Sequence, residues 1–316
     1  ATSEISEFEP QGLSNIARSF AFLEYSDMPM MSAIAQRSLC IMSEFDSQGL
    51  ANIAWSLDLM SLLDQPLRDA ISIQASQKIH SLGLQSQAIL LDIDLPCREA
   101  LHMKVASAVE ELSSYLPRSL AAAELKRYEE AVIHLQIDNL GIAGASLLFQ
   151  HMEIQKPSQS FLSETAFVMR AKQLEAGTIL PGPTRFRIQC YAAYFLEAPY
   201  GPLAGHLFQE NGMQEFSSIG LSRWLHAVVL PINSLVDREL CAEFQLLEAL
   251  CDLLARHTAL ASCDETSRQL VKGLVELNVS SASCMSCIGA FRQFQLLWPG
   301  LRLKVHMLRR GASQKK

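Results

Sequence analysis

The sequence predicts a chain in two parts, with stacked helical hairpins in front and an α/β domain carrying a metal-type cysteine pattern behind. Three observations carry that prediction. Residues 8–34 recur at 45–71 with an offset of 37 residues, a period that marks helical-hairpin repeats. From about residue 237 onward the apolar pattern runs helix, strand, helix, strand, as an α/β unit does. The two helices of that run are opened by Cys241-Ala-Glu243 and by Cys284-Met-Ser-Cys287.

Composition narrows the field before any motif is weighed. The 316 residues leave room for two domains. With 49% apolar and 19% charged residues the chain folds rather than staying disordered. No apolar run reaches the ~18 residues of a membrane span, so no membrane partner is expected. The net charge of −7 argues against tight nucleic-acid binding by the chain as a whole. The distribution points the other way at one end: after Glu276 every charged residue is basic, among them Arg302, Lys304, Arg309 and Arg310. That end can form a local phosphate-binding surface or simply a solvated tail. The eight cysteines are sparse, which suits a reducing, intracellular setting better than a disulfide framework.

In the first repeat, Leu13, Ile16, Ala17, Phe20 and Leu23 fall at helical spacing, as do Leu50, Ile53, Ala54 and Leu57 in the second. Asp27-Met-Pro29 and Asp64-Gln-Pro66 read as the turn into each second helix, because proline suits a helix's first turn. A shortened third copy follows at Asp94-Leu-Pro96. Residues 1–105 are therefore the repeat domain. The run Pro-Gln-x-Leu-x-Asn-x-Ala-(Trp)-Ser resembles the octotricopeptide and heptatricopeptide repeats of organellar RNA-binding proteins in algae and alveolates. Here Ser47 stands for the proline and Arg18 for the tryptophan. The resemblance implies a surface that follows a single RNA strand. The plainer alternative is that these helices only cap or dimerise the rest of the chain.

Residues 106–180 read as a helical connecting region with broken leucine stripes and no chemistry of their own. His134 and His151 are lone histidines there, better suited to core or surface roles than to ligation. Gly141 and Gly144 mark helix ends or close packing. Pro181-Gly-Pro183 is the linker signal, and residues 181–316 form the third region. Leu225–Leu230 reads as a buried strand ended by Pro231. Asp237 suits an N-cap for the helix carrying Cys241 and Glu243, and Ser283 suits one for the helix of Cys287, Phe291, Phe294 and Trp298. Leu274–Val279 reads as a strand. Leu301, Leu303, Val305 and Met307 alternate with Arg302, Lys304 and His306 as a half-buried strand with a basic outer face.

Three cysteines at two helix starts supply thiolate ligands for one zinc ion and leave the Glu243 carboxylate free. Three protein ligands keep a fourth tetrahedral position open, which separates catalytic from structural zinc. At Asp237-Arg-Glu-Leu-Cys-Ala-Glu-Phe-Gln-Leu-Leu and Cys284-Met-Ser-Cys-Ile-Gly-Ala-Phe-Arg-Gln-Phe the chain resembles the zinc-dependent deaminase superfamily, within it the nucleic-acid deaminase-like proteins of dinoflagellates and related protists. The resemblance covers about residues 220–310. It implies a cytidine deaminase-like, three-layer α/β/α fold with a mixed sheet. It also implies Zn2+ held by Cys241, Cys284 and Cys287, and Glu243 as the proton carrier. Asn233 is a candidate sugar contact, with an ordinary turn role as its alternative. Two departures stand out: Cys241 occupies a place usually held by histidine, and Ser283 replaces a proline.

The expected function is hydrolytic deamination of a base, C-to-U or A-to-I, in single-stranded RNA or another polynucleotide. Two alternatives stay open: an RNA-binding repeat protein with an inactive deaminase-like domain, and a deaminase of free cytidine or nucleotides. A closed structural zinc would need a fourth ligand from His257, Cys251 or Cys263. Cys40, Cys97 and Cys190 are expected to be small buried apolar residues. A mitochondrion or plastid is the expected compartment, with any targeting segment lying outside this chain.

Overall fold

The structure, a computed structural model, describes residues 5–23, 25, 27–157, 188–199, 201–211, 224–232, 234–257 and 268–308. The chain divides into two compact units, with the break after Glu111.

The first unit is built from helical hairpins. The pairs are α1 (Pro10–Leu23) with α2 (Met28–Cys40), α3 (Ser47–Leu59) with α4 (Gln65–Gln77), and α5 (Leu84–Leu91) with α6 (Arg98–Ser113). The local chemistry repeats with them. Asp27 caps α2 by accepting from the Met30 amide at 3.1 Å, and Asp64 caps α4 by accepting from the Leu67 amide at 3.1 Å. Each cap is followed by a proline in the first turn, where its missing N–H costs nothing. First helices stack on first helices, α1 on α3 and α3 on α5, while α2 stacks on α4. Repetition and burial are not the same thing, however. Phe45, Ile53, Ser56 and Leu57 of the second repeat are fully buried. Their counterparts one period earlier, Phe8, Ile16, Ser19 and Phe20, are half-buried or exposed. Cys40, at the end of α2, is exposed rather than buried; Cys97 and Cys190 are buried.

The second unit contains a mixed four-stranded sheet with helices. Its strands are β1 (Gln189–Ala198), β2 (Gly201–Glu210), β3 (Lys272–Val279) and β4 (Leu301–Met307), in the order β2-β1-β3-β4. β1 pairs antiparallel with both β2 and β3, and β3 pairs parallel with β4. Register divides the two faces cleanly. One carries Cys190, Ala192 and Leu196 of β1, Val275, Leu277 and Val279 of β3, and Leu303, Val305 and Met307 of β4, all buried. Two helices meet the sheet, α9 (Ala242–His257) on β1 and β2, and α10 (Met285–Leu297) on β4. The opposite face is more polar, with Tyr191 stacked on His206 and Lys304 bonded to Glu276 at 3.1 Å.

Two further helices, α7 (Ala122–His134) and α8 (Gly141–His151), lie in this same unit. The sequence places them in a connector, but they pack on α10. The Tyr128 ring sits 2.8 Å from where a side chain on Gly289 would begin, and Phe149 meets Phe291 edge to face. Among the described residues, then, both added helices pack against α10, and the chain just past α8 bridges β4 at Gln155. The Pro181–Pro183 linker lies outside the described residues.

Leu225–Leu230 is not a strand. Leu225, Val228 and Leu230 are buried while Val229 is exposed, and the amides of the segment bond to side chains, not to a neighbouring strand. Leu225 N donates to Glu248, His226 N to Gln293, Val228 N to Ser286 and Val229 N to Glu129, at 2.7 to 3.0 Å. Buried donors are satisfied by whatever acceptor is in reach, and here the helices supply it.

Candidate metal centre

Cys241 immediately precedes α9. Asp237 caps a short 3-10 turn, Arg238–Leu240, by accepting from the Glu239 amide at 3.0 Å. That turn ends on Cys241, whose carbonyl then accepts from Gln245 N at 3.0 Å to start α9. Glu243 therefore lies in the first turn of the helix, where the helix dipole favours a carboxylate. Cys284 is itself the residue that caps α10, and its carbonyl accepts from Ile288 N. Ser283 does not cap the helix, contrary to the sequence expectation. Its hydroxyl is fully buried and faces Glu243, without a well-formed hydrogen bond.

The three cysteine sulfurs converge within 4.8 Å of one another. Cys241 Sγ is 4.0 Å from Cys284 Sγ, and Cys284 Sγ is 3.5 Å from Cys287 Sγ. Sulfurs bonded tetrahedrally to one metal at ~2.3 Å stand about 3.8 Å apart, so the observed spacing is that of a shared ion. The cluster can hold a metal.

The electrostatics point the same way. Cys284 is pushed well below the usual thiol range, first by its hydrogen bond with Cys241 and then by the one with Cys287. Cys241 is pushed up chiefly by its hydrogen bond to Cys284, and Cys287 by its bonds to Cys241 and then Cys284. Sulfurs this close oppose one another's ionisation, and a divalent cation is what lets all three ionise together. Glu243, almost completely buried, is raised to about 7, first by burial and then by the charge on Cys284. Ser283 and Cys287 pull it partly back.

The alternative fourth ligands lie elsewhere. Cys251 accepts the Trp298 indole N–H at 3.3 Å in the core, and His257 faces the Gly201 carbonyl at the start of β2. Cys263 lies outside the described residues. Among the described residues the metal-type group has three members, all cysteine. A groove of about 530 Å³ between β2 and α9, lined by Leu203, Leu207, Ala249, Leu253, Arg256 and His257, includes none of the three clustered cysteines.

The proposed nucleic-acid contacts fare unevenly. Arg302 is exposed on β4. Lys304 is only 21% exposed and its ammonium is paired with Glu276, so it is not a free phosphate ligand. Arg309, Arg310 and the candidate sugar contact Asn233 lie outside the described residues. His134 and His151 are exposed at helix ends.

Two residues at this centre escaped the sequence reading. Tyr128 is completely buried, its hydroxyl donates to the Met285 carbonyl at 2.8 Å, and the charges on Cys284 and Cys287 add to burial in raising its pKa. Asp138 accepts from the Ile232 amide at 3.0 Å and pairs with Arg238 at 3.7 Å. No local motif marks either residue. Compared with models of known protein families, with curated proteins and with solved structures, the chain matches none.

Proposed function

We propose that the second unit is a zinc-dependent deaminase acting on a nucleobase in RNA or another polynucleotide. The observation that carries this reading is a three-sulfur cluster from two helix starts with one buried carboxylate beside it. The strand order and directions, with both cysteine motifs opening helices on one face, suit the deaminase-like fold that the sequence resembles. Cys241, Cys284 and Cys287 would hold the zinc. When bound, zinc supplies the Lewis acidity that makes water nucleophilic near neutral pH.

The chain's own residues supply the rest. Glu243 is buried next to the cluster, and among the described residues it forms no ion pair. It serves as the proton carrier, taking the attacking water's first proton at a carboxylate oxygen and passing it to the ring nitrogen, then taking the second and passing it to the departing amine. The hydrolysis replaces the exocyclic amine by oxygen and releases ammonia. The polynucleotide substrate is proposed from the repeats and from the basic end of the chain.

The test is Glu243→Gln, which keeps the shape and removes the proton carrier. Ammonia release from a cytosine- or adenine-containing oligonucleotide should fall by about 10²- to 10⁴-fold while zinc content stays at wild type. Unchanged release with zinc retained would contradict the mechanism. Turnover of free cytidine exceeding that of the oligonucleotide would shift the substrate class to nucleosides.

A further inference from the structure

We propose that the α7–α8 hairpin is the positioning frame of the cysteine centre, with Tyr128 and Asp138 as its positioning residues; this rests on the metal-site reading above. Met285, between the two cysteines of the Cys-x-x-Cys turn, is gripped on both its backbone groups by this hairpin. Its amide donates to the Asp138 carbonyl at 2.8 Å, and its carbonyl accepts from the Tyr128 hydroxyl at 2.8 Å. Asn139 forms an antiparallel bridge with Cys284 itself. Tyr128 is further fixed by its ring lying on Gly289, so its hydroxyl has little freedom to move away.

The same turn reaches the other ligand. The Asp138 side chain is 9% exposed; one of its oxygens accepts from Ile232 N, and the other pairs with the Arg238 guanidinium. The Arg238 carbonyl in turn accepts from Cys241 N at 3.2 Å. A path of contacts therefore runs from Cys284 through Asn139, Asp138 and Arg238 to Cys241. It closes the gap between two ligand groups that sit on separate helices and are 43 residues apart in sequence. Groups that orient metal ligands from behind change metal affinity when removed, even though they never touch the ion.

The experiment reads cobalt(II) as a stand-in for zinc in the full chain, comparing wild type with Tyr128→Phe and Asp138→Asn. Affinity is measured by competition with a chelator, and ligand geometry by the visible d–d and thiolate-to-cobalt bands. Wild type should show tetrahedral bands. Both variants should bind about 10- to 100-fold more weakly, with shifted bands and an unchanged far-ultraviolet dichroism. Tyr128→Phe removes one oxygen and keeps the ring on Gly289, so it decides the question even if Asp138→Asn does not fold. Arg238→Lys, which keeps a cation opposite Asp138, should lie closer to wild type than Arg238→Met. Variants with wild-type affinity and unshifted bands overturn the positioning role alone. A wild-type chain without tetrahedral cobalt bands overturns the metal reading and this inference together.

Discussion

At Gly289 a single hydrogen in place of a side chain lets Tyr128 reach the Cys284–Cys287 turn. A β-carbon there would stand 2.8 Å from the tyrosine ring, well inside contact distance, and neither the buried ring nor the helix backbone has room to retreat. Gly289→Ala is expected to destabilise the second unit by about 1–3 kcal/mol through overpacking, measured by denaturant unfolding. Tyr128→Ala should cost less in the Gly289→Ala chain than in the wild-type chain, because the two side chains then no longer collide. The meeting of the residues at this centre was partly legible in advance. Cys241, Glu243, Cys284 and Cys287 were readable because each motif is compact in sequence and each sits where a helix begins. Tyr128 and Asp138 were not. Their partners lie 157 and 94 residues away, and a tyrosine in an amphipathic helix looks the same whether or not its hydroxyl holds a metal loop.

The repeats give the element scale its own control. Ile53 and Ile16 occupy the same place in successive 37-residue units, yet Ile53 is fully buried in α3 while Ile16 in α1 is half-buried. Ile53→Ala should therefore cost about 2–5 kcal/mol, the range for truncation of a buried aliphatic side chain. Ile16→Ala should cost less than half as much. Equal losses would mean that the face of α1 is covered in solution. Periodicity reveals which residues are equivalent; it does not reveal which neighbour each will meet. The segment 225–230 teaches a related point. The burial of Leu225, Val228 and Leu230 was legible, but whether such a segment joins a sheet depends on where its amides find acceptors. Here Glu248, Gln293, Ser286 and Glu129 provided them. The alternation of β4 was legible for the opposite reason, since a half-buried strand writes its two faces directly into the sequence.

For the whole molecule, the proposal joins a repeat unit suited to RNA with a unit bearing a metal centre on an otherwise acidic chain. Oligonucleotide binding should weaken with salt, and replacing Arg309 and Arg310 together by alanine should reduce the logarithmic salt slope by about 1–2. Binding that is insensitive to both changes would remove the basic end from the account. The central claim, though, is a metal held by three sulfurs with one position left over. Zinc-edge X-ray absorption on the purified full chain tests it most directly. The expected result is one zinc per chain with three sulfurs at about 2.3 Å and one oxygen or nitrogen scatterer at about 2.0 Å, the latter surviving replacement of His257 and Cys251. Four sulfurs, a protein-supplied fourth ligand, or no zinc at all would contradict it.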